Sequence, residues 1–211
     1  MKISFKLIGL VISARLLLYS SAALGDELEK LAAAIHYRPP INFFQSLPTD
    51  RNDLGDNPLS MRGGTLLQYG DKNSPCGEVS FSLGWAGVFA GEGKVVKFLP
   101  TGPKELKELL ETEYRDKFPQ VSPAAVMNLG GATAVSLTAT RPPESGAMPY
   151  FLHFCWIQLE TNAVVKVTAV TCNADTFKAL TNSMATIKVD KAPLLKAFKP
   201  QAGNTLPRAR Q

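Results

Sequence analysis

The sequence predicts an α+β fold: a single domain in which a central antiparallel β-sheet carries helices packed on it. Three stretches of the 211-residue chain point there. Tyr150–Leu159 and Val164–Thr171 alternate as two strands around Thr161-Asn162. Thr101-Gly102-Pro103 opens an amphipathic helix, and Asn173 opens a second one that leads into Ile187 and Val189.

In the first of these, Tyr150, Leu152, Phe154 and Trp156 form one face, while Phe151, His153, Cys155, Ile157 and Leu159 form the other. Large apolar residues at period two on both faces mark a strand buried on both sides. Asn tolerates positive φ, so Thr161-Asn162 suits a tight two-residue hairpin. That loop sets a register with Trp156 opposite Val167 and Phe154 opposite Ala169, leaving Lys166 and Thr168 on the face of Cys155 and Ile157. The Phe154/Trp156 face is then the better core face.

The Ala174–Thr186 helix has Asn173 as N-cap and Asp175 in its first turn, where a negative charge favours the exposed amides. Phe177, Leu180 and Met184 recur at helical spacing as its packed stripe. In the Lys104–Phe118 helix Pro103 fits the first turn and Leu106, Leu109, Leu110 and Tyr114 face inward. Lys107–Glu111 and Glu111–Arg115 are spaced for exposed ion pairs of a few tenths of a kcal/mol.

Earlier in the chain, Asp26 to His36 reads as a short helix ended by Pro39-Pro40. An irregular stretch to Gly64 follows. Its Asp50, Asp53 and Asp56 are spaced by three rather than the two of a calcium loop, which marks a solvated turn. Thr65–Tyr69 and Glu78–Leu83 are short strands, and Trp85–Ala90 with Lys94–Leu99 forms a hairpin around Gly91-Glu92-Gly93. Val126–Leu129 and Ala132–Thr140 flank Gly130-Gly131 as further strand.

The organisation expected is a secretory signal peptide over residues 1–25, a short helix and irregular segment over 26–64, the α+β domain over 65–195 and a disordered basic tail over 196–211. Lys2 and Lys6, the apolar run Leu7–Leu18 and the small residues before Asp26 support the signal. Arg15 interrupts that run, so it is too short to serve as an uncleaved membrane anchor, and no transmembrane segment remains after cleavage. Lys2, Lys6 and Arg15 leave with the signal, so the formal charge falls from +5 to +2. The tail carries Lys196, Lys199, Arg208 and Arg210 without an acid, which leaves −2 on residues 26–195. The high isoelectric point therefore does not indicate a nucleic-acid surface.

Three cysteines in an exported chain allow one disulfide and one leftover thiol. Cys155 and Cys172 lie too far apart along the ladder for disulfide geometry. Cys76, in the loop Ser74-Pro75-Cys76-Gly77, is better placed to meet Cys172 at a strand end, leaving Cys155 as a buried free thiol. The competing use of these groups is a soft metal site. His153 and Cys155 share a strand face, and Cys172 lies diagonally from His153, so His153, Cys155 and Cys172 could face one copper or zinc ion.

No nucleophile elbow, His-Glu-x-x-His, Cys-x-x-Cys or phosphate-binding glycine loop occurs in the chain, and no motif calls for a cofactor. With only two histidines, hydrolase mechanisms are few. The leading functional expectation is an exported, non-enzymatic binding or assembly module of the periplasm or envelope, with a protein or envelope component as partner. The alternative is a metal- or thiol-dependent periplasmic protein using His153, Cys155 and Cys172.

The order from Lys104 onward also resembles the C-terminal half of the Mog1/PsbP-like domains, small α/β/α sandwiches with a central antiparallel sheet. The residues behind it are Gly130-Gly131-Ala132, Tyr150-Phe151, Val164–Thr171, Phe177 and Ser183-Met184-Ala185-Thr186-Ile187, under half of the chain. The resemblance implies a fold used mainly for binding or assembly, and it carries over no catalytic residue.

Overall fold

Two long hairpins share one strand neighbourhood and build the sheet. The structure is a computed structural model, and it describes residues 29–46, 65–74, 76–90, 94–98, 102–142, 148–160 and 163–198. After a helical stretch at 29–33 come β1 (Ile35–His36), β2 (Phe43–Ser46), β3 (Thr65–Asp71), β4 (Glu78–Trp85), β5 (Gly87–Ala90) and β6 (Lys94–Phe98). Then follow α1 (Pro103–Arg115), β7 (Gln120–Val121), β8 (Ala125–Leu129), β9 (Ala132–Arg141), β10 (Tyr150–Gln158) and β11 (Ala163–Thr171). The chain continues through α2 (Ala174–Ser183), a 3₁₀ turn at Met184–Thr186, β12 (Lys188–Val189) and α3 (Lys191–Phe198). Eight antiparallel strands run in the order β2-β3-β4-β11-β10-β9-β7, with β8 also on β9. The expected class, α+β in one domain, is what the chain adopts.

Register corrects one expectation. Leu159 donates to the Ala163 carbonyl, so the β10–β11 hairpin closes across three residues rather than two. Trp156 therefore faces Lys166, Phe154 faces Thr168 and Cys155 faces Val167. A one-residue slip exchanges the faces of one strand against the other. Lys166 now lies on the tryptophan side, its ammonium 4.5 Å from the Trp156 ring and 3.6 Å from Glu113 of α1.

Both faces of β10 are buried, and the Cys155 side rather than the Trp156 side belongs to the larger core. On it Val79, Phe81, Val165, Val167, Cys155 and Ile157 meet Leu180, Met184, Ile187 and Leu194 from the C-terminal third of the chain. On the other side Val135, Leu137, Phe154 and Trp156 meet Leu106 and Leu110 of α1. Tyr114 of α1 stacks on Phe154 at 3.8 Å between ring centroids.

Three boundaries also move. The domain begins before residue 65, because Leu31, Ala34, Ile35, Tyr37 and Phe43 lie in the larger core and β2 belongs to the main sheet. The N-terminal helix stops short of His36: Ile35 and His36 pair with Val189 and Lys188 as a separate two-stranded ribbon. Val189 thus pairs in this ribbon and not in the main sheet. At the other end α3 runs to Phe198, past the expected start of the tail at 196. The expected signal and the Asp50–Asp56 turn lie outside the described residues. Among the described residues, no helix is long and apolar enough to cross a membrane.

Other local expectations hold for the reasons given. Asn173 caps α2, its Oδ1 accepting from the amides of Asp175 and Thr176 at 2.9 and 3.0 Å. The cap of α1 is Gly102, followed by Pro103 at the first helical position, as the Thr101-Gly102-Pro103 opening predicts. Glycine at 130 is required twice over. Its φ of +57° turns the β8–β9 hairpin, and a Cβ there would stand 3.0 Å from Lys188 Cα.

Candidate functional site

The residues that looked most like chemistry in the sequence are His153, Cys155 and Cys172, and the fold separates them. Glu78 pairs with Val170 across β4 and β11, and Cys76 and Cys172 stand two positions further along each strand. Continuing the ladder places them side by side, and they form a disulfide with Cα atoms 5.9 Å apart. A sulfur bonded to Cys76 cannot also be a thiolate ligand. His153 faces Ala169, three residues short of Cys172, so the soft-metal trio does not converge. Among the described residues no group of three or more His, Cys, Asp or Glu side chains is placed to hold a metal ion.

His153 and Cys155 do share a face, but a sealed one. Cys155 is 0% exposed and burial pushes its thiol up to about 12, leaving it a neutral, apolar packing group. His153 is 3% exposed. Its Nδ1 lies 3.4 Å from the Thr181 hydroxyl, and Nε2 has no hydrogen-bond partner among the described residues. Burial pulls its pKa down to about 4, so the ring is neutral at physiological pH.

An open site forms elsewhere, where β1 and β12 cross the edge of the larger core. It is a cleft of about 660 Å³ floored by Tyr37 and Tyr69 and edged by His36, Arg38, Thr186 and Lys188. Alternation builds it. Ile35 and Tyr37 point into the core, so His36 and Arg38 point out on the same side of the chain. His36 is directly opposite Lys188.

The floor is rigid. The Tyr37 ring packs on Phe81 and Tyr69 with centroids 5.2 and 5.3 Å away. Ser183 Oγ donates to the Leu180 carbonyl at 2.7 Å, so the Tyr37 hydroxyl donates to Ser183 Oγ at 2.6 Å. Burial pushes the Tyr37 phenol up to about 12, and burial raises that of Tyr69 as well. The rim is held too. The Arg38 amide donates to Thr186 Oγ1 at 3.1 Å, whose hydroxyl donates to the Ser183 carbonyl at 2.7 Å. The Lys188 stem rests against Gly130.

Charge at the rim is uneven. His36 has a partner, with Nε2 3.2 Å from Asp190 Oδ2. Arg38 and Lys188 have no ion-pair partner among the described residues, and no carboxylate lines the cleft.

The sequence reading missed Tyr37, Arg38, Tyr69 and Lys188 as a group. The available signal is the alternation Ile-His-Tyr-Arg before Pro39-Pro40, whose first two residues also fit the end of a short helix. The pairing with Lys188, 152 positions after His36, has no local signature.

Fold and site together define a disulfide-bonded α+β domain with an aromatic-floored, cation-rimmed cleft. Comparison of the chain with protein-family models and with curated proteins gave no match.

Proposed function

We propose that this chain is an exported binding module of the periplasm or the extracellular space, and that the Tyr37/Tyr69 cleft is its recognition site. The observation that carries the reading is the cleft itself: an open concavity whose aromatic floor and rim backbone are held by packing and hydrogen bonds before any ligand arrives. Preorganisation of that kind lowers the ordering cost of binding. The neutral, sealed state of His153 and Cys155 favours binding over thiol or histidine chemistry in the core. Export is supported by the Cys76–Cys172 disulfide and by the signal-like pattern of residues 1–25. A role in assembly with an envelope component or protein partner, as in the Mog1/PsbP-like domains that the C-terminal half resembles, fits the same reading.

Two experiments test it. Intact mass of the protein recovered from a secreting host, alkylated under denaturing conditions with and without reduction, should give a chain starting near Asp26 with one alkylated thiol before reduction. A retained N-terminus, or three thiols, overturns export into an oxidising compartment. A fragment library of mixed charge screened by amide chemical shifts should perturb Tyr37, Arg38, Tyr69 and Lys188. Perturbations scattered over the surface, or none, overturn the cleft as the recognition site.

A further inference from the structure

The charge and shape of the cleft say more about its ligand than the binding-module reading alone, on which the following rests. We propose that the cleft takes a small organic anion, a carboxylate or phosphate joined to a flat apolar group, with Arg38 and Lys188 holding the anion and Tyr69 packing against the flat group.

Three observations lead there. The first is local charge. Residues 26–195 carry a formal −2, yet the cleft presents Arg38 and Lys188 without a carboxylate among its lining residues. The excess of positive charge is thus a property of this surface and not of the composition. Arg38 is the stronger recognition element, because its planar fork matches two oxygens of a carboxylate or phosphate at once.

The second is where the cations are fixed. Arg38 sits two residues beyond His36 on the outward side, and Lys188 is directly across from His36. Both cations therefore flank one spot on one face of the ribbon. Their backbones are held by Thr186 and by the close approach of Gly130. Asp190 lies 3.2 Å from His36 Nε2, and among the described residues it forms no ion pair with Arg38 or Lys188.

The third is the floor. The Tyr37 hydroxyl is committed to Ser183 and its ring is buried against Phe81, so half-buried Tyr69 is the floor residue left to meet a ligand. An apolar platform below a cationic rim suits an amphipathic ligand with its charge at one end. The volume of about 660 Å³ lies within the range of small-molecule sites, roughly 300–1,000 Å³.

The test is a calorimetric and chemical-shift titration of the full mature protein. Its probes are phenyl phosphate, benzoate, inorganic phosphate, benzyl alcohol and benzylamine. Phenyl phosphate or benzoate should bind at least about tenfold more tightly than benzyl alcohol. Arg38→Gln and Lys188→Gln should each weaken that binding by about tenfold, and Arg38→Lys should recover part of the loss. The preference between phenyl phosphate and benzoate distinguishes a phosphate source from a carboxylate one. Inorganic phosphate binding as tightly as phenyl phosphate would overturn the part assigned to Tyr69. Unchanged binding of the anions to the folded double variant Arg38→Gln/Lys188→Gln overturns the inference. If benzyl alcohol or benzylamine binds in the cleft and the anions do not, the anion inference fails while the binding reading stands. Silence from every probe overturns the anion inference, and the binding reading then stands or falls on the fragment screen.

Discussion

The two histidines sit in opposite circumstances, and the contrast separates the inside of this protein from its working surface. His153 is in the middle of β10 with a desolvated, neutral ring beside a desolvated thiol. His36 is on a two-stranded ribbon at the surface, paired with Asp190 and flanked by two cations. In the sequence His153-x-Cys155 reads as a candidate ligand pair and His36 as the end of a short helix. Burial inverts that ranking. Polar groups deep in a core are stripped of charge, while a short ribbon whose strands are distant in sequence can gather charge that no local motif announces.

The largest expected effect tests how firmly the sealed region is held. The Cys76–Cys172 bond closes a loop of 96 positions, and loop-closure entropy assigns such a cross-link about 4 to 5 kcal/mol. Cys76→Ser/Cys172→Ser should lose about 3 to 5 kcal/mol in urea denaturation. A loss below about 1 kcal/mol would mean that the ladder end is held by other contacts.

Next in size is the pH dependence from His153. Its folded-state pKa of about 4 lies below the ordinary 6.5, so between those values the unfolded chain takes up a proton that the folded chain refuses. The contribution to stability is complete above pH 6.5 and is lost as pH falls toward 4, about 3 kcal/mol at ~1.4 kcal/mol per unit. His153→Leu should flatten this part of the urea-midpoint profile relative to wild type. Parallel profiles for the two proteins would show that His153 is not sealed.

A smaller effect is expected where a charge is only partly withdrawn from water. Lys166 combines a cation–π contact with Trp156 and an ion pair to Glu113 across the sheet–helix boundary. Lys166→Met should destabilise by about 1 kcal/mol, and Glu113→Gln by less. The two substitutions should be non-additive in a double-mutant cycle, since they remove one shared interaction.

The smallest effect belongs to the cleft. Arg38→Gln and Lys188→Gln should leave the unfolding free energy from urea denaturation within about 0.5 kcal/mol of wild type, because both side chains lie on the solvent side of the ribbon. Stability unchanged and binding weakened would separate the surface role of these residues from the packing role of His153 and Cys155. A large stability loss would place them with the core instead.

Local patterns predicted much of the architecture. The strand alternation of β10 and β11, the Asn173 cap and the amphipathic face of α1 each depend on contacts within a few residues, and each was readable. Face assignment was not. The three-residue closure of the β10–β11 hairpin moved Lys166 from the side of Cys155 to the side of Trp156, a change that side-chain types alone do not encode. The disulfide partner of Cys172 was inferred from position in the chain, and the β4–β11 ladder supplies the reason: register continued two positions beyond Glu78 and Val170.

What the sequence by itself determined is the class of fold, the two principal helices and the strand-rich core, since period, caps and turn residues act over one or two turns of chain. The tertiary structure alone decided that Leu31, Ala34, Ile35, Tyr37 and Phe43 belong to the core and that Ile35–His36 pairs with Lys188–Val189. It also decided that Tyr37, Tyr69, Arg38 and Lys188 line one cleft. Those outcomes depend on long-range burial. Ile35 and Tyr37 gain more by entering the core than two further helical residues would, and their entry turns His36 and Arg38 outward beside Lys188.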